Sequence, residues 1–305
     1  MRWKEEKRKV NDLLNQFLLY LVMEKNYSPH TLRAYQNDIK EFLAFLKDLG
    51  KEEFSRREIR LFLQKKGQHC KKSTIGRKIS ALRSYYRFLI SRLDGRENPF
   101  EAIQSPKKEK KIPFWLTEEE IVRLLEAPDI DTPLGLRDRA ILETLYGCGL
   151  RASEVVGLDI KDVDICSQKL MVRGKGRKER VVPFASETAY WIEKYLEVRP
   201  ESGSRALFLN NRKDRLTTRS IQRIIQKHAQ KAGISSHVTP HTLRHSYATH
   251  LLHRGMGLRE VQELLGHASI GATQIYTHVG GEELKKAYLE FHPRSKGEVE
   301  KTPNE

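Results

Sequence analysis

The sequence predicts a mainly α-helical chain with a small β-hairpin, arranged as two domains. Three observations carry this. Apolar residues recur at helical spacing through most of the chain, a single strand–turn–strand signal interrupts them, and a proline- and lysine-rich stretch near residue 100 breaks the periodicity. The 305 residues leave room for two domains of ordinary size.

In the first domain, Ser28-Pro29 supplies an N-cap followed by proline at the first helical position. Leu32, Tyr35, Ile39, Phe42, Phe45 and Leu46 then come at helical spacing, and Gly50 ends the run. Ser55-Arg-Arg-Glu58 is a capping box that opens a helix reaching Gly67. From Thr74 the positions Ile75, Ile79, Leu82, Tyr86, Leu89 and Leu93 form one apolar stripe, with Arg77, Ser80, Ser84 and Arg87 on the opposite face. Residues 1–93 therefore read as a helical domain, and 94–114, with three prolines and a lysine cluster, as an extended linker.

Thr117-Glu-Glu-Glu120, another capping box, starts a second domain over 115–293, with a polar tail at 294–305. Its helices are expected at 118–126, 136–146, 186–198, 218–232, 240–253, 258–265 and 270–277. Lys169-Leu-Met-Val-Arg173 and Arg180-Val-Val-Pro-Phe184 flank a glycine-rich basic tip and predict the hairpin. After a break at Gly280-Gly281, Leu284, Ala287, Tyr288 and Phe291 recur as one face of a closing amphipathic helix.

Composition narrows the function classes. The longest apolar run, Phe17 to Met23, falls far short of the ~18–20 residues that a membrane span needs. The charged N-terminus lacks the apolar core of a secretory signal. Cys70, Cys148 and Cys166 are widely spaced and odd in number, so a reducing cytoplasm is expected rather than a disulfide framework or a zinc site. The net charge of +16 is uneven: residues 1–110 carry +12 and the rest +4. Ile59 to Leu93 holds ten basic residues and no acidic one, a pattern that favours contact with phosphates over a mixed solvated face. Lys71, Lys72, Arg77, Lys78, Arg83 and Arg87 are the candidate DNA contacts.

Four segments of the second domain carry chemistry: Gly149-Leu-Arg151-Ala-Ser-Glu154, the hairpin tip with Lys175, His241-Thr-Leu-Arg244-His245, and Gly266-His267 followed by Tyr276. Two guanidinium forks can grip the non-bridging oxygens of a phosphodiester bidentately. A tyrosine oxygen can attack the phosphorus, and a lysine can protonate the leaving hydroxyl. His241 and His245 have metal-ligand spacing, but an arginine lies between them and no glutamate base does, so zinc is a poor reading and no metal is assigned. His245 reads as a support for Arg244.

In this order, Arg…Lys…His-x-x-Arg…Gly-His…Tyr resembles the tyrosine recombinase (phage integrase-like) family, over nearly the whole chain. The resemblance implies a two-domain DNA clamp, a helical core-binding domain plus a catalytic domain. It assigns Arg151, Lys175, His241, Arg244 and His267 to the scissile phosphate and Tyr276 to the attack, and all six residue types are present. The ending Phe291-His-Pro-Arg294-Ser-Lys and the two-domain length are similar to the Xer branch, the cellular resolvases of chromosome dimers. Membership of that branch implies a 3′-phosphotyrosine intermediate on a specific double-stranded DNA site and a homo- or hetero-tetramer with a second recombinase. The exchange passes through a Holliday junction and needs neither cofactor, metal nor ATP. The resemblance also implies a DNA translocase as regulator and a closing helix handed to the next subunit.

Other readings share parts of this pattern. An integrase of a mobile element would carry the same six residues. A type IB topoisomerase-like nicking-closing enzyme would use the same phosphotyrosine chemistry without synapsis, and an architectural DNA-bending protein would lack Tyr276 or one arginine.

Overall fold

The computed structural model describes residues 2–25, 27–51, 55–91, 98–106, 114–174, 179–266 and 278–295, and contacts divide the chain into two units, Met1–Lys111 and Ile112–Glu305. The first contains α1 (Arg2–Met23), α2 (Pro29–Asp48), α3 (Arg56–Gly67) and α4 (Lys72–Ile90). Ser28 caps α2 by accepting the Thr31 amide at 3.2 Å. Glu58 closes the capping box of α3 on the Ser55 amide at 2.8 Å and pairs with Lys51 at 2.6 Å. Phe17, Ile39, Phe42, Ile59, Phe62 and Ile79 are buried between the helices. Each side chain of that size contributes about 1.5–3 kcal/mol when fully buried.

The buried stripe of α4 is turned slightly from the one expected. Tyr85 and Phe88 enter the core, because Phe17 of α1 receives both rings, at 5.2 and 5.4 Å between centroids. Tyr86 and Leu89 pack at its margin. The expected linker is also shorter than 94–114. Phe100 and Ile103 are buried in the first unit, and Arg83 donates to the carbonyls of both, at 3.2 and 2.6 Å. An apolar pair so close to the helices gains more from burial than from an extended path, so this stretch closes the core instead of leaving it.

The second unit contains α5 (Glu118–Glu126), α6 (Pro133–Gly147), α7 (Ala152–Gly157), β1 (Val163–Asp164), β2 (Lys169–Arg173), β3 (Glu179–Pro183), α8 (Ser186–Val198), α9 (Thr218–Lys231), α10 (Pro240–His253), α11 (Leu258–Leu265) and α12 (His278–Phe291). The strands form an antiparallel sheet in the order β1-β2-β3, with Met171 opposite Val181 and Val172 opposite Arg180. Helix α6 is buried on every side from Arg137 to Gly147 and packs on α8 and α10. Its charged residues are therefore paired. Asp138 accepts from Arg137 at 2.7 Å and from His228 at 2.9 Å, and Glu143 faces Arg139 and Arg294 at 2.9 and 2.7 Å.

Two expectations need correction at the C-terminal end, those for Gly280-Gly281 and Arg294. Gly280-Gly281 does not break the chain, since α12 starts at His278 and runs through both glycines. The apolar face of α12 covers its own unit: Tyr288 is fully buried and its hydroxyl donates to the Gly147 carbonyl at 2.8 Å. Arg294, placed in the polar tail by sequence, is held by Glu143 and Glu187 at 2.7 and 2.8 Å. The helix expected at 270–277 lies outside the described residues.

Candidate active site

Arg151 and Arg244 are brought together by two turns of opposite kind. The chain leaves α6 through Gly149, whose φ of +58° is a left-handed turn, and the Tyr247 ring occupies the space a Cβ would fill, 2.6 Å from it. Two residues later Arg151 becomes the N-cap of α7. Arg244 lies in the second turn of α10, whose start is fixed by Thr239 accepting the Thr242 amide at 3.2 Å. Its guanidinium donates to the carbonyls of Gly149 at 2.7 Å and Leu265 at 2.5 Å. One arginine thus ties together the turn before α7 and the end of α11.

A carboxylate sits at the centre. Glu154 accepts from the Arg151 amide at 2.8 Å and from its guanidinium at 3.0 Å. Arg180 of β3 holds both Glu154 oxygens in a fork, at 2.9 and 3.1 Å. Arg244 approaches the same carboxylate at 3.8 Å. Among the described residues, three guanidinium groups therefore surround one carboxylate, a surplus of positive charge in a half-buried place. Burial, and then the nearby Arg151, pull the Arg244 pKa down to about 10. Burial alone would raise Glu154, but hydrogen bonds from Arg180 and the Arg151 amide outweigh it and hold the carboxyl below its usual range.

His241 stands exposed in the first turn of α10, three residues before Arg244 and so on the same side of the helix. His245, expected to support Arg244, sets its ring edge-on to Trp115, 6.2 Å between centroids. Lys175, His267 and Tyr276 lie outside the described residues. Sequence reasoning missed Glu154 and Arg180 as members of this group. The signals were present: Glu154 holds the capping-box position behind Arg151, and Arg180 shares the inward face of β3 with Val182.

The proposed DNA contacts of the first unit divide. Lys78 is 5% exposed and paired with Asp38 at 2.8 Å and with Glu41. It lies three residues after Ile75 and four before Leu82, on the core-facing stripe, so it is a structural cation and not a phosphate contact. Arg83, half-buried, donates to the Phe100 and Ile103 carbonyls. Arg77 pairs with Asp38 and donates to the Ala34 carbonyl at 3.2 Å. Lys71, Lys72 and Arg87 are exposed, Arg87 beside Glu101 at 2.7 Å.

Comparison with known proteins places the chain in a family. Residues 114–283 match the phage integrase family, and residues 14–93 match the N-terminal SAM-like domain of phage integrases. The tyrosine recombinase XerC of Oceanobacillus iheyensis is 44% identical over 295 residues, covering 93% of this chain and 97% of that protein. The XerC of Bacillus subtilis is 41% identical over 297 residues, covering 94% and 98%. A lambda integrase tetramer bound to a Holliday junction superposes with a TM-score of 0.68 over 88% of this chain and 80% of that one, at 19% identity, a likeness of fold. The chain belongs to the phage integrase family of tyrosine recombinases, in its Xer branch, enzymes that recombine DNA at specific sites by cutting and rejoining its strands.

Proposed function

We propose that Tyr276 attacks a scissile phosphate held by Arg151 and Arg244, leaving a 3′-phosphotyrosine link and a free 5′-hydroxyl. The observation that carries this reading is the charge surplus around Glu154: a site with three guanidiniums and one carboxylate lacks an anion, and a phosphodiester supplies one. His241 and His267 complete the hydrogen bonding to the phosphate, and Lys175 protonates the leaving oxygen. The bond energy is kept in the phosphotyrosine, so religation to another strand needs no ATP, and the arginines take the role that a metal ion plays elsewhere.

On this reading the chain works in the cytoplasm on a double-stranded site as a homo- or hetero-tetramer with a second recombinase, passing through a Holliday junction. The XerC relatives support chromosome-dimer resolution over mobile-element integration, and a DNA translocase is proposed as the regulator. The test begins with duplexes selected from a random pool by the full-length chain, rebuilt as nicked suicide substrates. The wild-type chain should be trapped as a covalent adduct. Tyr276→Phe should bind the same duplexes and form none, because the attacking hydroxyl is the only part removed. Adduct from Tyr276→Phe at the wild-type rate would move the nucleophile elsewhere.

A further inference from the structure

We infer that Arg180 is a positioning residue of this site: by holding both oxygens of Glu154 it keeps Arg151 and Arg244 available to the phosphate. The inference rests on the proposed phosphotyrosine chemistry and adds a residue that acts through others. Glu154 is 5% exposed, and a buried carboxylate must be satisfied by whatever cations surround it. Arg180 takes one lone pair on each oxygen and so fixes the plane of the group. Arg151 is left with one guanidinium contact to Glu154 and is 39% exposed, while Arg244 stays at 3.8 Å with its hydrogen bonds on two carbonyls. Without Arg180 each Glu154 oxygen regains a lone pair, and the carboxylate would draw Arg151 and Arg244 into tighter pairs. Their charge would then be cancelled by protein rather than by substrate.

Two further observations show that the place is built for this side chain. A Cβ on Gly266 would lie 2.8 Å from Arg180 Nε and 2.9 Å from its Cδ, so the left-handed turn that ends α11 closes over the arginine. The end of the hairpin next to its turn is anchored separately. Arg173 forks onto Asp162 at 2.9 and 3.1 Å and reaches Glu179 at 3.1 Å, so Arg180 is not needed to hold β2 and β3 together. Arg180 joins β3, the first turn of α7 and the end of α11, three of the elements from which the site is assembled.

The experiment measures single-turnover cleavage by the full-length chain on a suicide duplex carrying the selected site. The scissile link is either a phosphodiester or a methylphosphonate, with each stereoisomer separate. Replacing a non-bridging oxygen by methyl removes the charge that the arginines stabilise. Arg180→Ala should bind within about threefold of wild type and cleave the phosphodiester about 10²-fold more slowly, the size of loss expected when a reacting group is misplaced by an ångström. On at least one methylphosphonate isomer the deficit should shrink to under about tenfold, because less charge is there to stabilise. Arg180→Lys, which keeps the charge but cannot fork, should fall between. Arg180→Ala with Glu154→Gln should be no worse than the slower single variant. Should Arg180→Ala fail to fold, Arg180→Lys and Glu154→Gln carry the same comparison. Equal deficits on all three links, or a phosphodiester rate within threefold of wild type, would overturn the role. A wild-type chain that forms no adduct would instead refute the reading of the function itself.

Discussion

The two units use their basic residues in opposite ways. In the first, α4 lies within the stretch Ile59–Leu93 that holds no acidic residue, yet Arg77 and Lys78 share the carboxylates of Asp38 and Glu41, and Arg83 caps two carbonyls. In the second, where the net charge of the sequence is modest, three arginines share Glu154. Formal charge per domain therefore locates a polyanion only coarsely. The informative quantity is the local ratio of guanidinium to carboxylate, which depends on contacts between residues far apart in the chain.

The largest break in this comparison comes from taking a cation out of the surplus. Arg244→Ala removes a charge donor and also the link between Gly149 and Leu265. Cleavage should slow by about 10²–10³, the usual cost of losing a donor aimed at a developing oxyanion. Wild-type cleavage should be unchanged by EDTA. Single-turnover assays read both, and a strict need for Mg²⁺ in the cleavage step would show that the arginines are not the electrophilic partners.

Taking a cation from the balanced group should act on folding instead. Lys78→Ala leaves Asp38, 2% exposed, with Arg77 and a lost buried pair. Stability should fall by roughly 3 kcal/mol in urea unfolding, with the salt dependence of DNA binding unaltered. If the variant unfolds like wild type but binds DNA with a shallower salt slope, Lys78 meets phosphate after all and the contrast between the units fails.

These two outcomes mark what was legible in the sequence. Helix starts were, because Ser28, Ser55 and Thr117 cap locally and the structure places those caps as read. The hairpin was legible for the same reason. Lys78 was not, because its charge suggested the surface while its spacing from Ile75 and Leu82 set it inside, and spacing prevailed once Asp38 and Glu41 were there to receive it. Phe100 and Ile103 were hidden by the prolines around them. In the site, Arg151 and Arg244 were legible as members of an ordered set, whereas Glu154 and Arg180 become visible only when β3 is laid against α7. A pairing across 26 residues leaves no local period to detect.

A second charged group in the same unit sharpens the comparison, since it is balanced. Arg139 and Arg294 face Glu143 and Glu187, and beside them His292 stacks on Tyr288 at 4.7 Å. Burial and then Arg294 pull the His292 imidazole down to about 3, so it is neutral in the folded chain. A histidine depressed in this way binds more protons when unfolded. Its contribution is complete above the unfolded value near 6.5 and is lost as pH falls toward 3, at up to ~1.4 kcal/mol per pH unit. The stability difference between wild type and His292→Phe should therefore move against wild type as pH drops from 7 to 4.5. A difference that stays constant over that range would mean the ring is protonated inside the fold. Deleting residues 282–305 should destabilise the unit outright, since Tyr288 and Arg294 go with them.

The smallest effect is expected where the first unit still offers a cation to DNA. Arg87 is 63% exposed, and its partner Glu101 is exposed as well, so their pair at 2.7 Å is screened and easily opened. A phosphate could replace Glu101 without leaving a buried charge behind, whereas Arg77 and Lys78 on the same helix both pair with buried Asp38. Removing one phosphate contact lowers the slope of log K against log salt by ~0.9. Arg87→Ala should therefore show that decrement with an unchanged melting midpoint, the reverse of the pattern expected for Lys78→Ala. Fluorescence-anisotropy titrations between 50 and 200 mM salt, roughly the range over which counterion release is usually read, resolve a change of this size. An unchanged slope would assign this face of α4 to solvent.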